Sequence, residues 1–187
     1  MALPAYPLVL AAAQTDGTAL ANSVTATNIL HASGVPTLAA GTLQVGSTLK
    51  VMVKGRISTL ATTPGTLTLD VRFGSVIVFN GGAMTLNTTA QTNATWELEA
   101  LLTIRALGTT TSANLLGTGR FTSRAVVGSG AAGTGGANTL LLPDTAPAVG
   151  TGFDSTASQQ ITVFATWQTA NAANSIQTHQ SLIELKV

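Results

Sequence analysis

The sequence predicts an all-β fold, a jelly-roll-like antiparallel β-sandwich with an extended N-terminal arm, on three observations. Apolar and polar residues alternate with period two along several runs, helical periodicity is almost absent, and Pro-Gly or Asn-Gly signals separate the runs. A chain of 187 residues fits one domain with a sizeable core. Roughly eight strand-like runs suit two stacked sheets that shield most of their edges.

Residues 1–40 read as the arm with weak strands, and residues 41–187 as the sandwich. Residues 18–24 and 42–45 carry only a faint strand pattern. Leu49, Val51 and Val53 then face one way while Lys50, Met52 and Lys54 face the other, and the alternation continues to Ile57. Thr62-Thr63-Pro64-Gly65 is a turn, because Pro presets φ and Gly supplies the positive φ many turns need. Leu67, Leu69, Val71 and Phe73 follow as an inward set, with Thr66, Thr68, Asp70 and Arg72 outward. Gly74 separates that strand from residues 75–79, which are expected to stop at the turn Asn80-Gly81-Gly82. A polar loop is expected over residues 87–94.

The longest strand runs over residues 95–107, with Trp96, Leu98, Ala100, Leu102 and Ile104 inward and Glu97, Glu99, Thr103 and Arg105 outward. Residues 119–126 form another, anchored by Phe121. Residues 128–152 are rich in Gly, Ala and Pro and read as a long loop, beyond the usual limit of about 12 to 15 residues. Ile161, Val163, Ala165 and Trp167 mark a further strand, and residues 175–185 close the chain.

Composition narrows the function. Only 8% of residues are charged, against roughly 25% in ordinary soluble domains. A surface this neutral suggests that neighbouring molecules cover much of it. A net charge of +1 with scattered Lys and Arg argues against nucleic acid as a partner. No run approaches the ~20 apolar residues of a membrane helix, so no membrane partner is expected. The absence of Cys excludes disulfides and thiolate chemistry. The start, MALPAYPLVLAAAQ, has no Lys or Arg before its apolar stretch and carries two prolines, which argues against a cleaved signal. Asn87-Thr88-Thr89 and Asn93-Ala94-Thr95 match the glycosylation sequon, a pattern that Thr-rich chains meet by chance.

Candidate chemistry is sparse. Gly128 to Gly133 matches GxGxxG after a strand, but the following Thr134-Gly135-Gly136 is a poor helix start, so no dinucleotide cofactor is expected. Glu97 and Glu99 share one side of a strand, a spacing open to a glycosidase pair or a cation site. The commoner reading pairs them with Lys or Arg of the next strand. Ser, His179 and Asp154 can be assembled on paper into a triad, yet no GxSxG elbow accompanies them. No catalytic, cofactor-binding or metal-binding residue is therefore assigned. Asp70, Arg72, Glu97, Glu99, Arg105 and His179 are read instead as residues of a subunit interface.

Several blocks resemble a group of tailed-bacteriophage virion proteins. They are Gly55-Arg56-Ile57-Ser58-Thr59, Thr62 through Gly74, Val78-Phe79-Asn80-Gly81-Gly82-Ala83-Met84, Leu86-Asn87-Thr88-Thr89-Ala90, Trp96, Leu101-Leu102-Thr103, Gly152-Phe153-Asp154-Ser155-Thr156 and Phe164-Ala165-Thr166-Trp167. The resemblance implies a β-sandwich virion component, trimeric and attached to the capsid shell or the tail. The leading expectation is a non-enzymatic capsid decoration (cement) protein on the capsid exterior, made in the bacterial host cytoplasm. It would self-associate as a homotrimer and bind across subunits of the major capsid protein. The alternative is a tail-tip or fibre head that recognises a host surface glycan through loop 128–152.

Overall fold

In the computed structural model, which describes residues 6–129, 138–143 and 152–187, the chain forms an antiparallel β-sandwich. Its strands are β1 (Leu8–Ala12), β2 (Leu20–Ala21), β3 (Thr27–Asn28), β4 (Thr37–Leu38), β5 (Thr48–Thr59), β6 (Thr66–Phe73), β7 (Val76–Leu86), β8 (Gln91–Ala106), β9 (Asn114–Thr122), β10 (Val126–Ser129), β11 (Thr139–Leu142), β12 (Gln159–Trp167) and β13 (Ser175–Lys186). The larger sheet has the order β1-β13-β5-β8-β9-β11, with β2 also on β13. The smaller has the order β10-β7-β6-β12-β3, with β4 also on β12. From β5 onward, the β6–β7 and β8–β9 hairpins stay within a sheet and every other connection crosses between sheets.

The period-two pattern decides which residues fill the space between the sheets. Leu49, Val51 and Val53 of β5, Trp96 through Ile104 at alternate positions of β8, and Ile183 of β13 are buried from one side. Leu67, Leu69, Val71 and Phe73 of β6 and Ile161, Val163, Ala165 and Trp167 of β12 meet them from the other. Two aromatic contacts sit in this core: Phe73 meets Phe153 edge-on at 5.0 Å, and Trp96 stacks on Phe121 at 5.9 Å between ring centroids.

Both tryptophans also satisfy their polar atom. The Trp96 indole N–H donates to the carbonyls of Arg56 (3.1 Å) and Gln177 (3.3 Å), and that of Trp167 to Leu20 (3.3 Å). Asn174, fully buried, braces the loops at one end: its Oδ1 accepts from the Leu60 N–H at 2.8 Å, and its Nδ2 donates to the carbonyls of Pro64 and Thr169.

Five sequence expectations need correction, the first being that residues 119–126 are not one strand: β9 ends at Thr122, and β10 begins at Val126 in the other sheet. The Asn80-Gly81-Gly82 signal does not end a strand; β7 runs through it to Leu86. Gly81 and Gly82 together oppose the single residue Leu69, which makes a β-bulge. Gly82 has φ +78°, and its N–H donates to Asn80 Oδ1, so the turn chemistry is spent inside the strand. The polar loop at 87–94 is shorter, since β8 begins at Gln91. Residues 42–45 form no strand: Thr42 and Ser47 donate back to Ala39 and Gln44 in successive turns. Loop 128–152 contains β11, which pairs with β9 from Thr139↔Thr122 to Leu142↔Gly119. Most of the GxGxxG motif, residues 130–133, lies outside the described residues.

The described part of the expected arm lies along the sandwich. β1 and β2 pair with β13, while β3 and β4 pair with β12. Gly17 backs so closely on the Ile29 carbonyl that no Cβ would fit, and Leu20, Ile29, Leu30 and Leu38 enter the core. These segments are too short to show periodicity, so only their burial reveals them.

Candidate functional site

Strand register sorts the few charges of this chain onto two unlike outer faces. Six of the eight Lys and Arg residues stand on strands of the larger sheet: Lys50, Lys54, Arg56, Arg105, Arg120 and Lys186. Because β5, β8 and β9 are neighbours, Glu97 faces a cation of β5 and Glu99 faces cations on both flanks. Lys54 Nζ lies 3.3 Å from Glu97 Oε2. Glu99 sits between Lys50 at 3.2 Å and Arg120 at 2.7 Å. The pairing reading of these two glutamates holds, and both carboxylates are engaged by cations rather than turned to a shared substrate position. Arg105 is exposed, with no ion-pair partner among the described residues.

The Lys50 ammonium, by its hydrogen bond above all, holds the Glu99 carboxyl below the usual carboxylate range, against a smaller opposing effect of burial and with help from Arg120. A group whose folded value is depressed stabilises the fold fully above its unfolded value, about 4.3, and loses that contribution as pH falls through the folded value. A carboxyl carbon titration by NMR is expected to give Glu99 a midpoint below that ordinary value, and Lys50→Met should raise it. An unshifted midpoint in the unmodified chain would remove Lys50 as the cause.

Among the described residues, the smaller sheet carries a single, self-contained charge pair on its outer face. Arg72 Nε and Nη2 donate to the two oxygens of Asp70 at 2.5 and 3.0 Å, along one strand at a spacing of two. The Arg72 guanidinium also lies 3.8 Å over the ring of Phe164, from the adjacent β12. Asp70 is only 3% exposed, so the pair is shut in by its own strand and by β12. The hydrogen bond that Arg72 donates to the Asp70 carboxylate keeps the Arg72 pKa above its ordinary range. Around it stand Thr66, Thr68 and Thr166, which leaves the face neutral.

His179 lies at a bulge of β13, with Nδ1 2.9 Å from Asp16 Oδ1. Asp16, in the N-terminal segment, is a partner that sequence reasoning missed, because 163 positions separate the two residues (179 − 16). The paper triad does not form: Asp154 instead accepts from the Thr156 hydroxyl and N–H within its own loop. That hydroxyl first, then the Thr110 N–H, holds the Asp154 carboxyl below its ordinary range. No group of three or more His, Asp or Glu that could hold a metal is found among the described residues, and no helix there is long and apolar enough to cross a membrane.

Two of the concave regions among the described residues lie beside these charges. A groove of about 680 Å³ on the larger sheet is lined by Leu101, Thr118, Leu141, Leu142 and Pro143, with Lys50, Glu99 and Arg120 along one wall. A polar cleft of about 520 Å³ is lined by Asn93, Thr95, Glu97, Thr122, Arg124 and Asn138, among others. The groove could not be read from sequence, because Leu141 lay in the presumed loop.

No family model matches the chain, and no curated protein matches it. Among solved structures, the chain is similar to the CBM2 module of the evolved Dit of Lactobacillus casei BL23 phage J-1. The TM-score is 0.33 at 12% identity, covering 82% of this chain and 69% of that one.

Proposed function

We propose that the chain is a non-enzymatic structural protein of a tailed-phage virion, and within the virion a decoration protein of the capsid exterior. It would act as a homotrimer that binds across neighbouring subunits of the major capsid protein. The observation that carries the reading is a group of solvent-exposed apolar side chains, Tyr6, Leu8 and Val9, at a sheet edge that no described strand pairs, on a chain of which only 8% of residues are charged. Such a surface suits contact with protein better than chemistry on a small substrate. The sequence blocks that resemble tailed-phage virion proteins support the same reading. A clamp of this kind would stabilise a shell under outward pressure through binding energy alone.

The purified chain should co-sediment with expanded empty capsids at a fixed stoichiometry and raise their disruption temperature. Absence of co-sedimentation, with the protein found by electron microscopy only at the tail, overturns the head assignment. A second reading, glycan recognition at the tail tip, is favoured by one feature: the cleft at Asn93, Thr95, Glu97, Arg124 and Asn138, whose donors and acceptors suit a hydroxyl-rich ligand. Binding on a glycan array that is lost in Asn138→Ala would support it.

A further inference from the structure

We propose that Asn80 is a self-modification site, where the Gly81 backbone nitrogen attacks the Asn80 side chain and converts it, with water, to aspartate and isoaspartate. Asn80-Gly81 is the single Asn-Gly pair of the chain, and the fold places it in the β7 bulge rather than in a turn. Gly81 and Gly82 share one partner residue, Leu69, so the ladder holds this stretch less tightly than a regular one. Asn80 is exposed, and its Oδ1 accepts the Gly82 N–H at 2.9 Å. That bond draws electrons from Cγ and stabilises the oxyanion that develops on Oδ1 as the nitrogen adds. The attacking nitrogen is tethered a few bonds away in the same chain, so ring closure needs no encounter.

Packing requires the glycine at position 81. A Cβ built there would stand 2.9 Å from the Leu69 carbonyl oxygen and 3.1 Å from Leu142 Cδ1. The fold therefore keeps, at the attacking nitrogen, the one residue type with no side chain to obstruct ring closure. Other asparagines supply the comparison. Asn28, Asn87 and Asn171 accept the same bond from the N–H two residues on, but Ile29, Thr88 and Ala172 follow them. Asn174 is fully buried, and its Oδ1 is taken by the Leu60 N–H. The step needs no reagent beyond water. A bond forms between Gly81 N and Asn80 Cγ, the Cγ–Nδ2 bond breaks, and the Gly81 amide proton leaves with Nδ2 as ammonia. Water then opens the cyclic imide at Cγ to give aspartate, or at the main-chain carbonyl to give isoaspartate with a longer backbone. Either product sets a carboxylate across from Asp70, the register partner of Asn80, beside the Asp70–Arg72 pair. Like charges directly opposite one another destabilise a strand pair.

The test incubates the purified, folded chain at mildly alkaline pH and follows every asparagine by peptide mass spectrometry over time. Asn80 should convert before any other asparagine and yield isoaspartate, detected by enzymatic methylation, beside aspartate. Aged protein and an Asn80→Asp variant should both melt below fresh protein, by as much as roughly 2 to 4 °C for one like-charge contact in a domain of this size. Earlier conversion of another asparagine overturns the proposal. So does an Asn80 that stays intact in the folded chain while the urea-unfolded chain converts it, since the bulge would then protect the site. Aspartate formed without isoaspartate overturns the cyclic step in favour of direct hydrolysis. An Asn80→Asp variant as stable as the unmodified chain overturns the coupling to Asp70.

Discussion

Gly55→Ala is expected to cost about 3 kcal/mol of stability, a fall of roughly 6 to 12 °C in Tm for a domain of this size. A Cβ built at Gly55 would fall within van der Waals overlap of the Gln177 carbonyl and close on the Thr178 Cα. Both are backbone atoms of β13, held in the ladder between β5 and β1, so neither can swing aside as a flexible side chain would. The same carbonyl accepts from the Trp96 indole, and Trp96 is the residue opposite Gly55 on β8. Pushing β13 away therefore loosens a fully buried tryptophan and weakens its hydrogen bond as well. Chemical denaturation followed by tryptophan fluorescence would measure both effects. An alanine variant within 1 kcal/mol of the unmodified chain, a limit set by ordinary surface effects, would show that the strands separate freely there.

Asp70→Ala is expected to destabilise the domain by about 3 kcal/mol, because it leaves the Arg72 guanidinium poorly solvated and unpaired. The Asp70 and Arg72 side chains are 5% and 18% exposed, so water replaces the lost carboxylate poorly. Adding Arg72→Met should recover part of the loss, since removal of both charges leaves no stranded ion and the methionine can still rest on Phe164. This pattern, a damaging single change relieved by the second, would mark the pair as a device that sets the register of β6 against β12. A fully stable Asp70→Ala variant that became monomeric would instead place the pair in a subunit contact.

The two charge sites illustrate how far alternation alone reaches. It placed Asp70 and Arg72 on one side of β6 and Glu97 and Glu99 on one side of β8, and both placements hold. It did not say that Asp70 is buried. That depends on Phe164 of β12, which lies opposite Asp70 only because β6 and β12 pair in one register. Likewise, which cations flank Glu99 depends on the alignment of three strands, and a shift of one residue would send every side chain to the other face.

The all-β class, the long central strands and the inward residues from Leu49 to Trp167 were legible before folding, because period-two burial is written locally in each strand. The tertiary structure alone decided the rest: the bulge that carries β7 through Asn80-Gly81-Gly82, the docking of β1 to β4, the strand at Thr139–Leu142, and the pairing of Asp16 with His179. These features depend on partners far away in the chain, and strands of two to five residues carry too few positions to display a period of their own.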